Sequence, residues 1–343
     1  MNSIRAVAWS GSAVVLLDQT LLPARHEYLE CRDVDTLVDS IVRLVVRGAP
    51  ALGAVGAYGV ALAMTQGARE GWDPERLAAE VTRIRDARPT AVNLAWGVDR
   101  VRPLIGAGVE AVVLEADMLA AEDEAANREL SRKGADWIQS RVGDRPVRVL
   151  THCNTGALAT TAWGTALGIV RELHVRGVLE VVYADETRPL LQGSRLTAWE
   201  LDREGIDYFV QADGAAASTI LRGLVDVAII GADRIARNGD TANKIGSVGV
   251  ALACHDKGIP FVVAAPSSTV DLDTACGDDI HIELRDGREV VELAGVSTAP
   301  AGARGFNPAF DVTPARLIDA IVTECAVVEP DGTSPVTALV PAP

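Results

Sequence analysis

The sequence predicts an α/β chain, with a mixed, mainly helical first part that carries a small antiparallel sheet and a second part built on a mainly parallel sheet. Three observations predict it. Short alternating segments open the chain, helical periodicity takes over after about Asp33, and beyond Pro146 apolar runs alternate with helical or loop segments. At 343 residues the chain is long for one domain and ordinary for two. A boundary is expected at Val142-Gly143-Asp144-Arg145-Pro146, where Gly and Pro interrupt a long helix, giving domains 1–143 and 144–343.

In the first part, Ala6 to Trp9 and Ala13 to Leu17 alternate and are joined by Ser10-Gly11-Ser12, a hairpin pattern. From Asp35, the residues Leu37, Ile41, Leu44 and Val45 fall on one helical face. Ala51 to Met64, Pro74 to Ala87 and Glu110 to Arg141 read as further helices. The last is rich in Ala and Glu, polar enough for a surface or connecting helix. In the second part, Val147 to Leu150, Val178 to Tyr183, Tyr208 to Val210, Val225 to Ile230 and Phe261 to Ala264 are nearly continuous in apolar and β-branched residues, as strands covered on both faces must be.

Composition excludes several classes. Hydrophobic residues make up 48% and charged residues 23%, the profile of a packed protein. With 32 basic against 47 acidic residues the net charge is -15, so long-range attraction to nucleic acid or anionic membranes is not expected. An anionic ligand would have to be held by a few local cations. The five cysteines form no CxxC pair, which points to a reducing, cytoplasmic setting. The N-terminal apolar run is too short for a signal-peptide core. Ala51 to Met64 is too short to span a bilayer and reads as a buried helix, so a soluble protein is expected. The five histidines lack HxxxH or HxH spacing, and neither a Walker A nor a GxGxxG pattern is present, so no metal and no cofactor are expected.

Polar residues cluster where the five strands end: Thr151-His152-Cys153-Asn154, Asp185-Glu186-Thr187-Arg188, Gln211-Ala212-Asp213, Gly231-Ala232-Asp233-Arg234 and Pro266-Ser267-Ser268. Ligands of open α/β sheets bind at that edge. Cys153 is expected at the start of a helix, where backbone N–H groups would favour a thiolate; the alternative is a buried structural cysteine. Asp233 leaves a dry strand, and partial burial would make it a proton donor; a helix N-cap or a partner for Arg234 are the alternatives. His152 neighbours Cys153, but adjacent strand residues face opposite ways, so no catalytic pair is inferred. Gly239 to Ser247 places Lys244 among small residues ahead of an apolar helix, where backbone amides could approach an anion. Arg47, before Gly48-Ala49-Pro50, and Arg88, before Pro89-Thr90-Ala91, are each either a phosphate ligand or a surface turn.

Six segments taken together resemble the methylthioribose-1-phosphate isomerase family, within a wider family that includes regulatory subunits of a translation initiation factor. They are Arg47–Gly53 (RGAPALG), Arg88–Leu94 (RPTAVNL), Thr151–Gly156 (THCNTG), Ala184–Leu201 (ADETRPLLQGSRLTAWEL), Gly231–Gly246 (GADRIARNGDTANKIG) and Asn307–Pro314 (NPAFDVTP). The resemblance implies a Rossmann-like second domain, a homodimer, and conversion of 5-methylthioribose 1-phosphate to its ketose in methionine salvage. It puts Cys153 and Asp233 in catalytic positions. It puts Arg47, Gly48, Ala49, Arg88, Gln192, Asn243 and Lys244 in substrate and phosphate positions. Thr155 stands where alanine is usual, Ser247-Val248 where Thr-Tyr is common, and Leu284 where a second glutamate often follows Glu283. The rival readings are an isomerase of 5-deoxyribose 1-phosphate or ribose 1,5-bisphosphate, and a non-catalytic regulatory subunit. A methylthio group needs an apolar slot and a second phosphate needs extra cations; the acidic balance favours the slot.

Overall fold

The computed structural model describes residues 4–88, 92–143 and 145–341. Pro89, Thr90 and Ala91 of the second resemblance segment, and Asp144 of the expected boundary, lie outside the described residues. The chain forms two compact units: Met1–Asn127 with Thr155–Gly164, and Arg128–Asn154 with Thr165–Pro343.

In the first unit, strands β1 (Val7–Trp9), β2 (Val14–Leu17) and β3 (Tyr28–Cys31) pair antiparallel in that order. The hairpin forms where alternation places it, and β3 adds an edge that the sequence reading missed. Helix α1 (Val34–Val42) starts at Asp33, whose carboxylate accepts the Thr36 N–H at 2.7 Å, an ordinary side-chain cap. Helix α2 (Ala49–Glu70) runs 22 residues and stops at Gly71 in the left-handed conformation. It is longer than its apolar run suggested and, by length and composition, could cross a bilayer; 83% of its most apolar window is buried inside the fold, as a core helix is. Helix α3 (Pro74–Arg85) is capped by Asp73, and α4 (Val92–Val101) packs tightly on α2. A Cβ on Gly97 of α4 would stand 1.9 Å from the Gly53 carbonyl oxygen, so glycine is what lets the helices meet. Helix α5 (Val109–Val142) begins among the residues of the first unit and ends among those of the second.

The second unit follows in chain order: β4 (Val147–Thr151), α6 (Ala166–Val175), β5 (Leu179–Asp185), α7 (Ala198–Glu204), β6 (Tyr208–Gln211), α8 (Ala216–Leu221) and β7 (Val227–Ile230). Next come β8 (Arg234–Ala236), β9 (Thr241–Lys244), α9 (Ser247–Lys257), β10 (Phe261–Ala264) and β11 (Val270–Asp271). The chain ends with α10 (Arg288–Val291), β12 (Glu292–Leu293), β13 (Val296–Ser297), β14 (Phe310–Thr313), β15 (Ala320–Val322) and β16 (Val327–Val328).

Among the described residues, seven strands form one sheet in the order β16-β15-β10-β7-β4-β5-β6, parallel throughout except for β16. All five expected strands lie in it. Its two faces are both covered. Val149, Val227, Ile229 and Val262 enter one apolar cluster, while Leu150, Ala228, Ile230 and Val263 enter the other. A second sheet has the order β11-β8-β9-β14; β9 (TANK), which the sequence reading did not assign to a strand, pairs antiparallel with β14.

Candidate active site

The order of the large sheet reverses between β4 and β7. From β4 the chain builds outward through β5 and β6; from β7 it builds the other way through β10 and β15. Such a switch point is where an open α/β sheet leaves a crevice at its carboxyl edge. Cys153 lies two residues beyond β4, and Asp233 lies three residues beyond β7. The two candidate catalytic residues therefore leave neighbouring strands at the switch point, a juxtaposition invisible in their separate motifs.

Cys153 is a free, buried thiol held in the left-handed region, φ 66°, which non-glycine residues seldom occupy. Two threonine hydroxyls fix it. Its N–H donates to Thr187 Oγ1 at 2.8 Å, and its carbonyl accepts from Thr197 Oγ1 at 2.7 Å. The helix expected to start at Cys153 does not form. The chain turns through 153–165 and the next helix begins at Ala166, so the segment following the thiol supplies no helix N-terminus to it. Asn154 instead anchors the turn, donating to Glu200 Oε1 at 2.7 Å; Glu200 is wholly buried and also accepts from Arg171 at 2.7 Å.

His152 lies one residue beyond β4, and its ring bonds to groups other than the thiol. Its Nδ1 lies 2.9 Å from Asp185 Oδ2 and its Nε2 lies 2.8 Å from the Ile245 carbonyl. Burial opposes charging of the ring, but the Asp185 carboxylate and the carbonyl outweigh it and hold the His152 pKa above its ordinary value. Burial pushes the Asp185 carboxyl up. Asp185 also accepts from Gln211, and Asp213 accepts the N–H groups of Thr187 and Arg188 at 2.7 and 2.6 Å. His152, Asp185 and Asp213 bring ligand-type atoms within 4.8 Å of one another, yet each already has protein partners, as a hydrogen-bonding hub does.

Asp233 is exposed, not partly buried. The dry strand ends at Ile230, and by Asp233 the chain has left the sheet. Its N–H donates to the Ala242 carbonyl at 2.9 Å, which fixes it at the mouth of the β8–β9 hairpin. Arg234 pairs with Asp271 at 2.8 Å.

Asn243 and Lys244 end β9. Asn243 is buried and donates to Ser247 Oγ at 2.8 Å; Lys244 donates to the Ala309 carbonyl at 2.9 Å, with its Nζ 4.3 Å from the centre of the Phe310 ring. The turn amides expected to face an anion already have one. The N–H groups of Gly246 and Val248 donate to Asp311 Oδ2 at 2.8 and 3.2 Å. Gln192 is buried at the start of the helical turn Gly193–Thr197, and its Oε1 has no hydrogen-bond partner among the described residues. A buried acceptor of that kind suits a hydroxyl donor from a ligand.

Arg47, Gly48, Ala49 and Arg88 belong to the first unit. Gly48 precedes α2 at φ 96°, where a Cβ would stand 2.1 Å from the Ala159 carbonyl oxygen. Ala49 opens that helix, and Arg88 is half-buried beyond α3. The sequence reading carried Thr187 and Asp213 only as members of polar strand-end segments, and Thr197, Glu200 and Asp311 only within the resemblance segments, with no role for any of them; for Thr187 and Asp213 a hydroxyl or acidic residue next to a strand tip was the available signal.

Residues 45–330 match the model of the initiation factor 2 subunit family. A methylthioribose-1-phosphate isomerase of Alkalilimnicola ehrlichii is 48% identical over 345 residues, covering 99% of this chain and 98% of that protein. A Nocardia farcinica protein, described as a probable bifunctional methylthioribose-1-phosphate isomerase/methylthioribulose-1-phosphate dehydratase, is 52% identical over 94% of this chain, which spans 59% of that protein's length. Among solved structures, 5-methylthioribose 1-phosphate isomerase from Pyrococcus horikoshii has a TM-score of 0.85 at 37% identity, covering 94% of this chain and 92% of that one. A structure described as translation initiation factor eIF-2B, subunit delta, from A. fulgidus has a TM-score of 0.86 at 41% identity, covering 98% and 99%. The resemblance carried by the six segments thus extends along nearly the whole chain, and the chain belongs to the initiation factor 2 subunit family.

Proposed function

We infer that this chain is an aldose–ketose isomerase converting 5-methylthioribose 1-phosphate to 5-methylthioribulose 1-phosphate, a step of methionine salvage. The observation that carries the chemistry is the placement of Cys153 and Asp233 on neighbouring strand tips at the switch point. Isomerases so named match it along nearly the full chain.

The substrate's phosphate sits on the anomeric oxygen, so the ring cannot open as a free sugar's does. In the proposed route Cys153, as thiolate, takes the hydrogen at C2. The electron pair forms a C1–C2 double bond and breaks the bond from C1 to the ring oxygen, which takes a proton from Asp233. The resulting enol phosphate regains a proton at C1 as its C2 hydroxyl becomes the carbonyl. Hydrogen has then moved from C2 to C1, and no outside oxidant or reductant is consumed. Gln192, Asn243 and Lys244, with Arg47, Gly48, Ala49 and Arg88, take the substrate and phosphate contacts in this reading. The support for Gln192 is its unpartnered buried oxygen; for the others it is the match of their segments. Residues 144–343 form a Rossmann-like catalytic domain in this reading, supported by the 3-2-1-4-5-6 order of the parallel strands. A cytoplasmic homodimer completes it.

NMR of purified protein with 5-methylthioribose 1-phosphate in deuterated water tests the route. Ketose carrying deuterium at C1 supports proton transfer, and ketose without it argues against a freely exchanging proton-transfer intermediate, as a direct hydride shift requires. Failure to turn over this sugar, with turnover of 5-deoxyribose 1-phosphate, would move the substrate. The description of the A. fulgidus structure favours a regulatory subunit; failure of both sugars would move the reading there.

A further inference from the structure

We propose that His152 is a positioning residue that ties the turn carrying Cys153 to the turn carrying Asn243 and Lys244, through its Nε2–H bond to the Ile245 carbonyl. The inference rests on the reading in which Asn243 and Lys244 hold the substrate.

The ring is 1% exposed and lies between two acceptors. The Ile245 carbonyl can only accept, so Nε2 bears a proton toward it at 2.8 Å. Nδ1 faces Asp185 Oδ2 at 2.9 Å, whose other oxygen accepts from Gln211 at 2.8 Å. The charged groups facing the ring are Asp185, Asp213 and Asp311. None is a cation. Asp185 therefore fixes the ring from β5, and the ring fixes Ile245, the residue after Lys244. Gly246 makes room for it: at φ 111°, a Cβ there would stand 2.7 Å from His152 Cε1. Asp311 of β14 holds the same turn through the Gly246 and Val248 N–H groups, and the Ile245 N–H donates to the Ala309 carbonyl at 3.2 Å. The turn is thus held both from β14 and the residues before it and, through His152, from the segment bearing Cys153.

Glutamine and asparagine separate the two ring nitrogens. Glutamine can reach the position of Nε2, and asparagine that of Nδ1 only. His152→Asn should raise KM about tenfold, with a smaller fall in kcat, because a buried bond to the substrate-holding turn is lost. His152→Gln should recover most of the affinity. Lys244→Met serves as the control. If it leaves KM unchanged, the substrate reading of this turn fails. If it raises KM while His152→Asn does not, or if the Asn and Gln variants are equally impaired, the positioning role fails. Nitrogen NMR of labelled histidine in the unmodified protein needs no variant: a protonated Nε2 in slow exchange supports the proposal, and an unprotonated Nε2 overturns it.

Discussion

The N–H of Cys153 donates to the Thr187 hydroxyl across 2.8 Å, and it does so from a left-handed backbone conformation. Thr187 in turn donates to the Asp185 carbonyl at 3.0 Å and is held by Asp213 through its own N–H. Strain at Cys153 is thus maintained by residues just beyond β5 and β6.

Thr187→Val removes that hydroxyl while keeping the side chain's shape. It should cost about 1–2 kcal/mol of stability by leaving the Cys153 N–H unpaired. It should also lower kcat by about tenfold or more through misplacement of the thiol. Thr187→Ser should restore most of both. Thermal melts with steady-state kinetics read the two effects separately.

Gln192 makes the opposite prediction for stability. Its buried Oε1 has no partner among the described residues, so the fold carries the cost of desolvating it. Gln192→Leu should leave stability unchanged or raise it by about 1 kcal/mol, while raising KM for the sugar phosphate. A destabilised variant with an unchanged KM would remove Gln192 from the site.

The sheet was legible because strand residues buried on both faces are apolar, as VAII of β7 and FVVA of β10 are. β9 was not, because TANK has no apolar run of its own and is held as a strand by pairing with β8 on one side and with Phe310–Thr313, more than sixty residues on in the chain, on the other. β15 and β16 are too short to announce themselves. The segment after Cys153, NTGALATTAWG, has helix-compatible alanines, but its N-terminal residues serve tertiary hydrogen bonds and it stays irregular. In the site, position at a strand tip was readable for Cys153 and Asp233. Their adjacency, the exposure of Asp233 and the partners of His152 were not, since each depends on strand order or on contacts distant in sequence.

Arg171, Glu200 and Asn154 form a buried charged network behind the Cys153 turn. Glu200→Ala would remove one of the two carboxylates, Glu200 and Glu204, that pair with the Arg171 guanidinium, 4% exposed. A loss of about 3–5 kcal/mol is expected in denaturant titration, as for other buried pairs broken on one side. A loss under about 1 kcal/mol would mean that Glu204 suffices.

Asp226 sets part of the acid limit. Burial alone would raise its carboxyl, but Arg148, through its side chain and its N–H, together with Arg145, brings it from 3.8 down to about 2. Because the folded pKa is the lower one, the stabilisation is present above the unfolded value and is lost as pH falls through the folded value. It amounts to about 2 kcal/mol. Asp226→Asn should flatten that part of the acid unfolding curve, measured against the unmodified protein.

The central claim is that Cys153 and Asp233 together carry an isomerisation. The most direct measurement is the rate of ketose formation from 5-methylthioribose 1-phosphate by the unmodified protein, Cys153→Ala and Asp233→Asn, each confirmed as folded by its melting curve. Turnover by the unmodified protein, with both variants slower by about a hundredfold or more, is the predicted result. Turnover that survives either substitution nearly intact would contradict the account.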